Sequence, residues 1–125
     1  MSKIKQMHKR KPTIIDVNCA DTQATLQLKV DADILDFCGH FSHFPLLPGV
    51  SQIDWALFYA VEYLNTPAVF KGMEVIKFQE PILPDAQVTL DLNWDSDKQK
   101  LSFKFSSQQG ELLVIHSSGK MKLGK

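Results

Sequence analysis

The stretch Gly39-His40-Phe41-Ser42-His43-Phe44-Pro45-Leu46-Leu47-Pro48-Gly49-Val50-Ser51-Gln52-Ile53-Asp54-Trp55-Ala56 decides the fold, because it leads from a loop into one long apolar helix. The residues before Pro48 combine glycine, proline and polar side chains, which is typical of a loop. Pro48 suits the first helical position, where a missing N–H costs nothing, and this makes Leu47 the expected cap residue. Apolar residues then recur at helical spacing up to Leu64 and cover most of the circumference, which predicts a helix buried on most sides. Asn65-Thr66-Pro67 ends it.

Period-two patterns on both sides of this helix predict β-strands. A turn or short helix is expected at residues 31–37. The last three strands are consecutive and linked by short turns, which indicates an antiparallel sheet. One long buried helix with such a sheet predicts an α+β domain, with the sheet wrapped around the helix. The predicted strands are residues 13–17, 24–30, 75–78, 87–94, 100–106 and 112–121.

Length and charge divide the chain into a short arm and one domain. The 125 residues suit a single core, and no repeat or linker interrupts residues 13–125. Residues 1–12 carry five basic side chains and no acid, so the net charge of zero hides a domain with a net charge of −5. We expect this basic arm to be flexible, and it is also a candidate contact for an acidic partner.

Several classes of protein do not fit the sequence. No apolar run approaches the length of a membrane span, and no apolar signal core follows the basic N-terminus. The body has no basic stripe interleaved with aromatic residues, which argues against binding to nucleic acid. Two cysteines form no disulfide framework, so a reducing cytoplasm is the expected location.

His40, Gly49 and Asp54 together match what the removal of water from a 3-hydroxyacyl thioester requires. Histidine is the side chain best suited to take a proton from C2 near neutral pH. The free N–H groups at a helix start, here of Gly49 and Val50, polarise a carbonyl oxygen. Asp54 lies 14 positions after His40 among apolar neighbours, where a carboxyl group can stay protonated and act as an acid.

Each feature alone has a simpler interpretation. A loop histidine is more often a surface or capping residue, and Pro48-Gly49 alone marks a helix start. Asp54 alone fits a solvated helix position, although its apolar neighbours argue against that. We interpret His43 as structural. A metal site formed by His40, His43 and Asp54 matches no standard zinc spacing, so none is predicted.

The same residues resemble the 3-hydroxyacyl-(acyl carrier protein) dehydratases of the hotdog fold. In that family a Gly-His-Phe-Pro loop leads through Pro-x-x-Pro-Gly-Val into the central helix, with a Glu or Asp 14 positions after the histidine. Residues 70–85 are similar to the second family block, and the resemblance spans about residues 20–123. The run Gln52–Ala56 is similar to a branch associated with aryl-polyene and related lipid pathways. The positions that match the first block are His40, Pro45, Pro48, Gly49, Val50 and Asp54.

The resemblance implies a site shared between subunits. The unit would be a homodimer or an assembly of dimers, with His40 of one protomer facing Asp54 of the other. An acyl carrier protein would deliver the substrate on a phosphopantetheine arm, and neither a cofactor nor a metal would take part. Phe41 and Trp55, beside the two catalytic candidates, are the further candidate substrate contacts, with Gly49 and Val50.

Two departures from the family pattern leave other functions open. Ser42 and His43 replace the proline and glycine that follow His-Phe in the family, which affects the pose of His40. Aspartate in place of the more common glutamate at the position of Asp54 also occurs in a branch of the family that isomerises the double bond after dehydration. A thioesterase that uses Asp54 to activate water and a non-catalytic acyl-binding subunit remain alternatives to dehydration.

Overall fold

The computed structural model describes residues 9–37 and 46–125, and within them the chain forms six strands and one long helix. Every predicted strand is present. The helix, α1, spans Gly49–Leu64, and a 3-10 turn spans Leu35–Phe37. In the described part of the chain, no helix has the length and apolar character needed to cross a bilayer. The strands are β1 (Thr13–Cys19), β2 (Gln23–Val30), β3 (Val69–Phe78), β4 (Ala86–Asp95), β5 (Lys100–Gln109) and β6 (Leu112–Gly124).

The six strands form one antiparallel sheet in the order β1-β2-β4-β5-β6-β3. The sheet wraps around α1, which contacts β2 and β4. Fully buried side chains from the helix and the sheet fill the space between them, among them Leu26, Trp55, Leu90 and Phe105. The predicted α+β hotdog architecture is therefore confirmed.

The start of α1 lies one residue later than the sequence predicts. Pro48 has φ −59° and ψ 148°, so it is the extended cap residue, and Gly49 is the first helical residue. The Pro48 carbonyl accepts hydrogen bonds from the N–H groups of Ser51 at 3.1 Å and Gln52 at 3.3 Å. Proline has no side-chain acceptor, so within the described residues no side-chain cap satisfies the N–H groups of Gly49 and Val50.

Two left-handed residues end the segments around the helix. Asn65 has φ 54° and ends α1, where the sequence predicts the stop. Asp85 has φ 66° and forms the turn before β4. Its N–H donates to the Val30 carbonyl at 2.7 Å, and its Oδ1 accepts from the N–H of Ala32 at 3.1 Å. Asn and Asp tolerate this backbone conformation better than most residues, which explains their presence here.

The described part of the N-terminal arm is bound to the domain. The indole N–H of Trp55 donates to the Arg10 carbonyl at 3.0 Å. The Arg10 guanidinium pairs with the carboxylate of Asp36 at 2.5 Å, and only 6% of the Asp36 side chain is exposed. Arg10 of the predicted flexible arm therefore contacts the domain, and residues 1–8 lie outside the described residues, so the flexibility of the arm stays a prediction.

Candidate active site

A cavity of about 390 Å³ opens at the N-terminal end of α1. We call it the helix-entrance cavity. Its walls are mostly apolar and carry a few polar groups, which is the usual character of a small-molecule site. The segment that follows β3 forms one wall, and the first turn of α1 forms another. The lining residues used below are Leu47, Gly49, Gln52, Phe78, Glu80 and His116.

The ring of Phe78 lies directly against Gly49. A Cβ atom built on Gly49 would lie 2.5 Å from Phe78 Cζ and 2.8 Å from Cε1, which is closer than side chains approach each other. Only glycine allows this contact. Among the described residues no side chain hydrogen bonds to the N–H of Gly49 or Val50. N–H groups at the positive end of a helix dipole are able to stabilise an oxyanion, and this role of Gly49 and Val50 stays a prediction.

Gln52 is a polar lining residue whose role the sequence analysis does not identify. Its side chain is only 3% exposed. Its Nε2 donates to the carbonyl of Leu47 at 3.3 Å, and its Oε1 accepts a hydrogen bond from the Ser117 hydroxyl at 2.6 Å. Gln52 therefore ties the residue before the helix cap to the sheet. Its position in a mostly apolar helix, beside the apolar residues Ile53 and Trp55, is a weak sequence signal for it.

His116, on β6, is a second lining residue that the sequence analysis does not identify. It is 4% exposed, with Nε2 at 2.8 Å from the Ser107 hydroxyl and Nδ1 at 3.0 Å from the Glu80 carbonyl. A carbonyl only accepts hydrogen bonds, so Nδ1 carries a proton. In the neutral ring Nε2 then accepts from Ser107. Both ring nitrogens are satisfied, which removes the penalty for burying this polar side chain.

Asp54 does not line the cavity of its own chain. It lies five residues after Gly49, which places it roughly 140° around the helix from that residue. Its side chain is 67% exposed, and Oδ2 lies 3.9 Å from Lys11 Nζ. The apolar burial expected for Asp54 is therefore wrong for the single chain. It borders a shallow groove of about 270 Å³ with Phe58 and Glu62.

The other predicted substrate contacts lie in different surroundings. Val50 is 78% exposed beside the cavity entrance. Trp55 is 1% exposed and belongs to the core, where its indole is held by Arg10. In the single chain Trp55 is therefore not accessible to a ligand, because it lies on the inward face of the helix and packs against the sheet. His40 and Phe41 lie outside the described residues, so their distances to Gly49 and Asp54 stay predictions.

A search of protein families matches residues 16–120 to the ApeI-like family, described as ApeI dehydratase. The match includes the helix start, Asp54 and the segment that follows β3. It covers most of the chain, so it applies to the domain as a whole.

Several solved structures are similar to this chain. An uncharacterized protein from Erwinia carotovora subsp. atroseptica is 42% identical, with a TM-score of 0.78, and the alignment covers 90% of this chain and 94% of that one. The dehydratase heterocomplex ApeI:P from Xenorhabdus doucetiae contains a chain that is 39% identical, with a TM-score of 0.82 and coverage of 92% and 99%. Zebra fish thioesterase superfamily member 2 shares the fold, at 10% identity, a TM-score of 0.58 and coverage of 87% and 80%.

Proposed function

Because this chain belongs to the ApeI-like dehydratase family, we propose that it converts 3-hydroxyacyl thioesters on an acyl carrier protein into trans-2-enoyl thioesters. The observation that carries the proposal is the helix start, where Gly49 lines a mostly apolar cavity and no described side chain hydrogen bonds to its N–H. The reaction builds up negative charge on a thioester oxygen, and this N–H stabilises such a charge. The thioester itself acidifies C2, so the proposed reaction uses no cofactor and no metal.

The proposed steps balance in protons and electrons. His40 takes the proton from C2, and the electrons of that C–H bond form the double bond between C2 and C3. The C3–O bond breaks, and the hydroxyl group leaves as water after it takes a proton from the Asp54 carboxylic acid. The N–H of Gly49 hydrogen bonds to the thioester oxygen while charge develops on it. Loss of a proton from the imidazolium and its return to the carboxylate restore the site.

The position of Asp54 supports a site built from two chains. Since Asp54 faces away from its own helix-entrance cavity, a second subunit has to supply the acid to each cavity. Asp54 shares its exposed face with Val50, Phe58 and Glu62, which are spaced four residues apart along α1. Two of these are large apolar side chains, at 78% and 44% exposure, which a partner would cover.

The edge of the sheet offers a second surface for assembly. β3 is an edge strand, and most of its residues are exposed. An exposed, apolar edge strand readily pairs with a strand of another chain. We propose a homodimer or an assembly of dimers that brings Asp54 of the partner subunit to the cavity.

The proposed substrate class follows from the branch of the family. The relative from Xenorhabdus doucetiae is a dehydratase heterocomplex, and the resemblance of Gln52–Ala56 is to an aryl-polyene branch. We propose that the acyl groups belong to polyene or fatty-acid synthesis. Lys71 and Lys77 are exposed on β3 and are candidate contacts for an acidic carrier protein.

The first test of this function follows the product. Purified protein is incubated with 3-hydroxyacyl-carrier protein and analysed by mass spectrometry. A 2-enoyl thioester supports the proposal, free acid and thiol indicate a thioesterase, and unchanged substrate that stays bound indicates an acyl-binding subunit. We expect His40→Ala and Asp54→Ala each to abolish the enoyl product without loss of the folded assembly. Full turnover by either variant removes that residue from the mechanism.

The second test asks whether two chains share each site. His40→Ala and Asp54→Ala are unfolded together, mixed in equal amounts and refolded. Random pairing makes half of the dimers mixed, and each mixed dimer has one intact site, so activity should return to about a quarter of the wild-type value. The same variants refolded separately are the control. If the mixture stays as inactive as its parts, the site does not span two protomers.

A further inference from the structure

A cluster of buried polar side chains lies beneath the helix-entrance cavity, in a core that is otherwise apolar. Its members come from three elements and are all less than a tenth exposed. Buried polar groups are costly unless they are hydrogen-bonded, so such a cluster requires a reason. The members are Gln52 on α1, Ser106 and Ser107 on β5, and His116 and Ser117 on β6.

A β-bulge places part of this cluster inside. Phe105 lies opposite Ser117 and Ser106 lies opposite Ile115, so His116 is the extra residue of a bulge on β6, and His116 and Ser117 are buried in succession. A regular strand would have turned every second side chain outward. Bulges commonly redirect side chains beside functional sites. Here the bulge leaves Ser107 within hydrogen-bond distance of the His116 ring.

His116 holds the segment that forms the outer wall of the cavity. Its Nδ1–H donates to the Glu80 carbonyl at 3.0 Å, and its own carbonyl accepts from the N–H of Gln79 at 2.9 Å. The segment held in this way follows directly after Phe78, whose ring covers Gly49. β3 is an edge strand, so on its other side no described strand supports this segment.

We propose that His116 is a positioning residue that sets the width of the helix-entrance cavity. Through the Glu80 carbonyl it fixes the position of Phe78, and Phe78 limits which acyl groups reach the Gly49 amide. This inference rests on the proposed dehydratase function and adds a determinant of substrate choice to it. His116 does not contact the reacting atoms, because both of its ring nitrogens bind protein groups.

Two substitutions at the same position separate the two hydrogen bonds of His116. The side-chain amide of Asn reaches the place of Nδ1, so His116→Asn keeps the bond to Glu80 and loses the bond to Ser107. The amide of Gln reaches the place of Nε2, so His116→Gln keeps the bond to Ser107 and loses the bond to Glu80. Ser107→Ala removes only the bond to Ser107 and is the matched control.

The readout is the ratio of kcat/KM for a bulky, branched acyl-carrier protein to that for a short, straight one. We expect His116→Gln to raise this ratio about fivefold, since a wall residue loses one hydrogen bond. Phe78→Leu should raise this kcat/KM ratio as well. His116→Asn and Ser107→Ala should keep the wild-type ratio. Equal shifts in the Asn and Gln variants, or none in either, would overturn the proposal, because a merely structural role predicts no such difference.

A second measurement judges the positioning without turnover. Amide hydrogen exchange of residues 78–82 should speed up in His116→Gln and not in His116→Asn or Ser107→Ala. If wild-type protein dehydrates no substrate, the proposed function fails while this exchange result still decides whether His116 holds the wall. If exchange is the same in all variants, His116 does not hold it. If His116→Gln fails to fold, the kcat/KM ratios of Phe78→Leu, His116→Asn and Ser107→Ala decide. A wild-type ratio in Phe78→Leu overturns the proposal. A shifted ratio in His116→Asn or Ser107→Ala also overturns it.

Discussion

Gly49→Ala tests whether access to the first helical amide matters for catalysis. The new methyl group would lie 2.5 Å from Phe78 Cζ, about 1 Å inside ordinary carbon contact. It would also occupy space between Gly49 and Phe78, which both line the cavity proposed to hold the thioester. The substitution therefore affects packing and chemistry through the same atom, and the two effects have different sizes.

The expected change in stability is small. Overpacking costs about 1–3 kcal/mol, and the low end applies here because Phe78 is 52% exposed and a small shift of its ring displaces no buried group. Alanine is a better helix former than glycine by up to about 1 kcal/mol, which offsets most of that cost. We predict that the free energy of unfolding changes by less than about 1 kcal/mol. Turnover should fall about a hundredfold, the effect of losing one oxyanion donor.

Urea unfolding and steady-state dehydration of a 3-hydroxyacyl-carrier protein measure the two effects separately. The double variant Gly49→Ala/Phe78→Ala relieves the steric conflict but keeps the methyl group, so its turnover should stay low. The reasoning is refuted if Gly49→Ala turns over within about threefold of wild type, or if Phe78→Ala restores its activity.

Two further predictions concern stability. Gly119→Ala should lower the free energy of unfolding by about 2–3 kcal/mol, because its Cβ would lie 2.7 Å from both Phe103 Cε2 and the Val75 carbonyl oxygen, and backbone cannot move aside. Gly124→Ala on the same strand meets only the flexible Lys71 side chain and should change little, so equal losses in urea unfolding would contradict the argument. Burial acts to raise the pKa of Asp31, but hydrogen bonds from Thr13 and Lys9 outweigh it and lower that pKa below 3.8. The stability that this carboxylate contributes is present above pH 3.8 and is lost as the pH falls through the lower folded-state pKa. Thermal melts of Asp31→Asn and wild type should therefore differ near neutral pH and converge in acid, and a constant difference would contradict this assignment.

The sequence predicts most of the fold because its patterns are long and regular. The apolar repeat from Val50 to Leu64 and the alternation in β4 and β5 leave little choice of structure. The sequence predicts only residues 75–78 of β3. Most residues on both faces of this edge strand are exposed, so no alternation of apolar and polar side chains marks its first half. The bulge at His116 similarly breaks the alternation along β6, so the sequence does not reveal that this side chain is buried.

The site is less predictable than the fold. The position of Gly49 at the helix start is predictable to within one residue from local chemistry, since Pro48-Gly49 is typical of a helix start. Asp54 is expected among apolar side chains, yet neighbours along a sequence are not neighbours on a helix surface, and its face of α1 is open. His116 is missed for a related reason. Its partners come from the neighbouring strand, in the case of Ser107, and from a segment 36 residues away, in the case of Glu80, and only the folded sheet brings all three together.

The attachment of Arg10 to Trp55 has a practical consequence for recombinant work. A fragment cut at the limits of the family match, residues 16 and 120, would lose the acceptor of the Trp55 indole and the cation beside Asp36. At the other terminus it would lose Met121 and Leu123, which are at most 1% exposed. Expression boundaries for this protein are therefore better chosen from hydrogen bonds and burial than from the span of the family match.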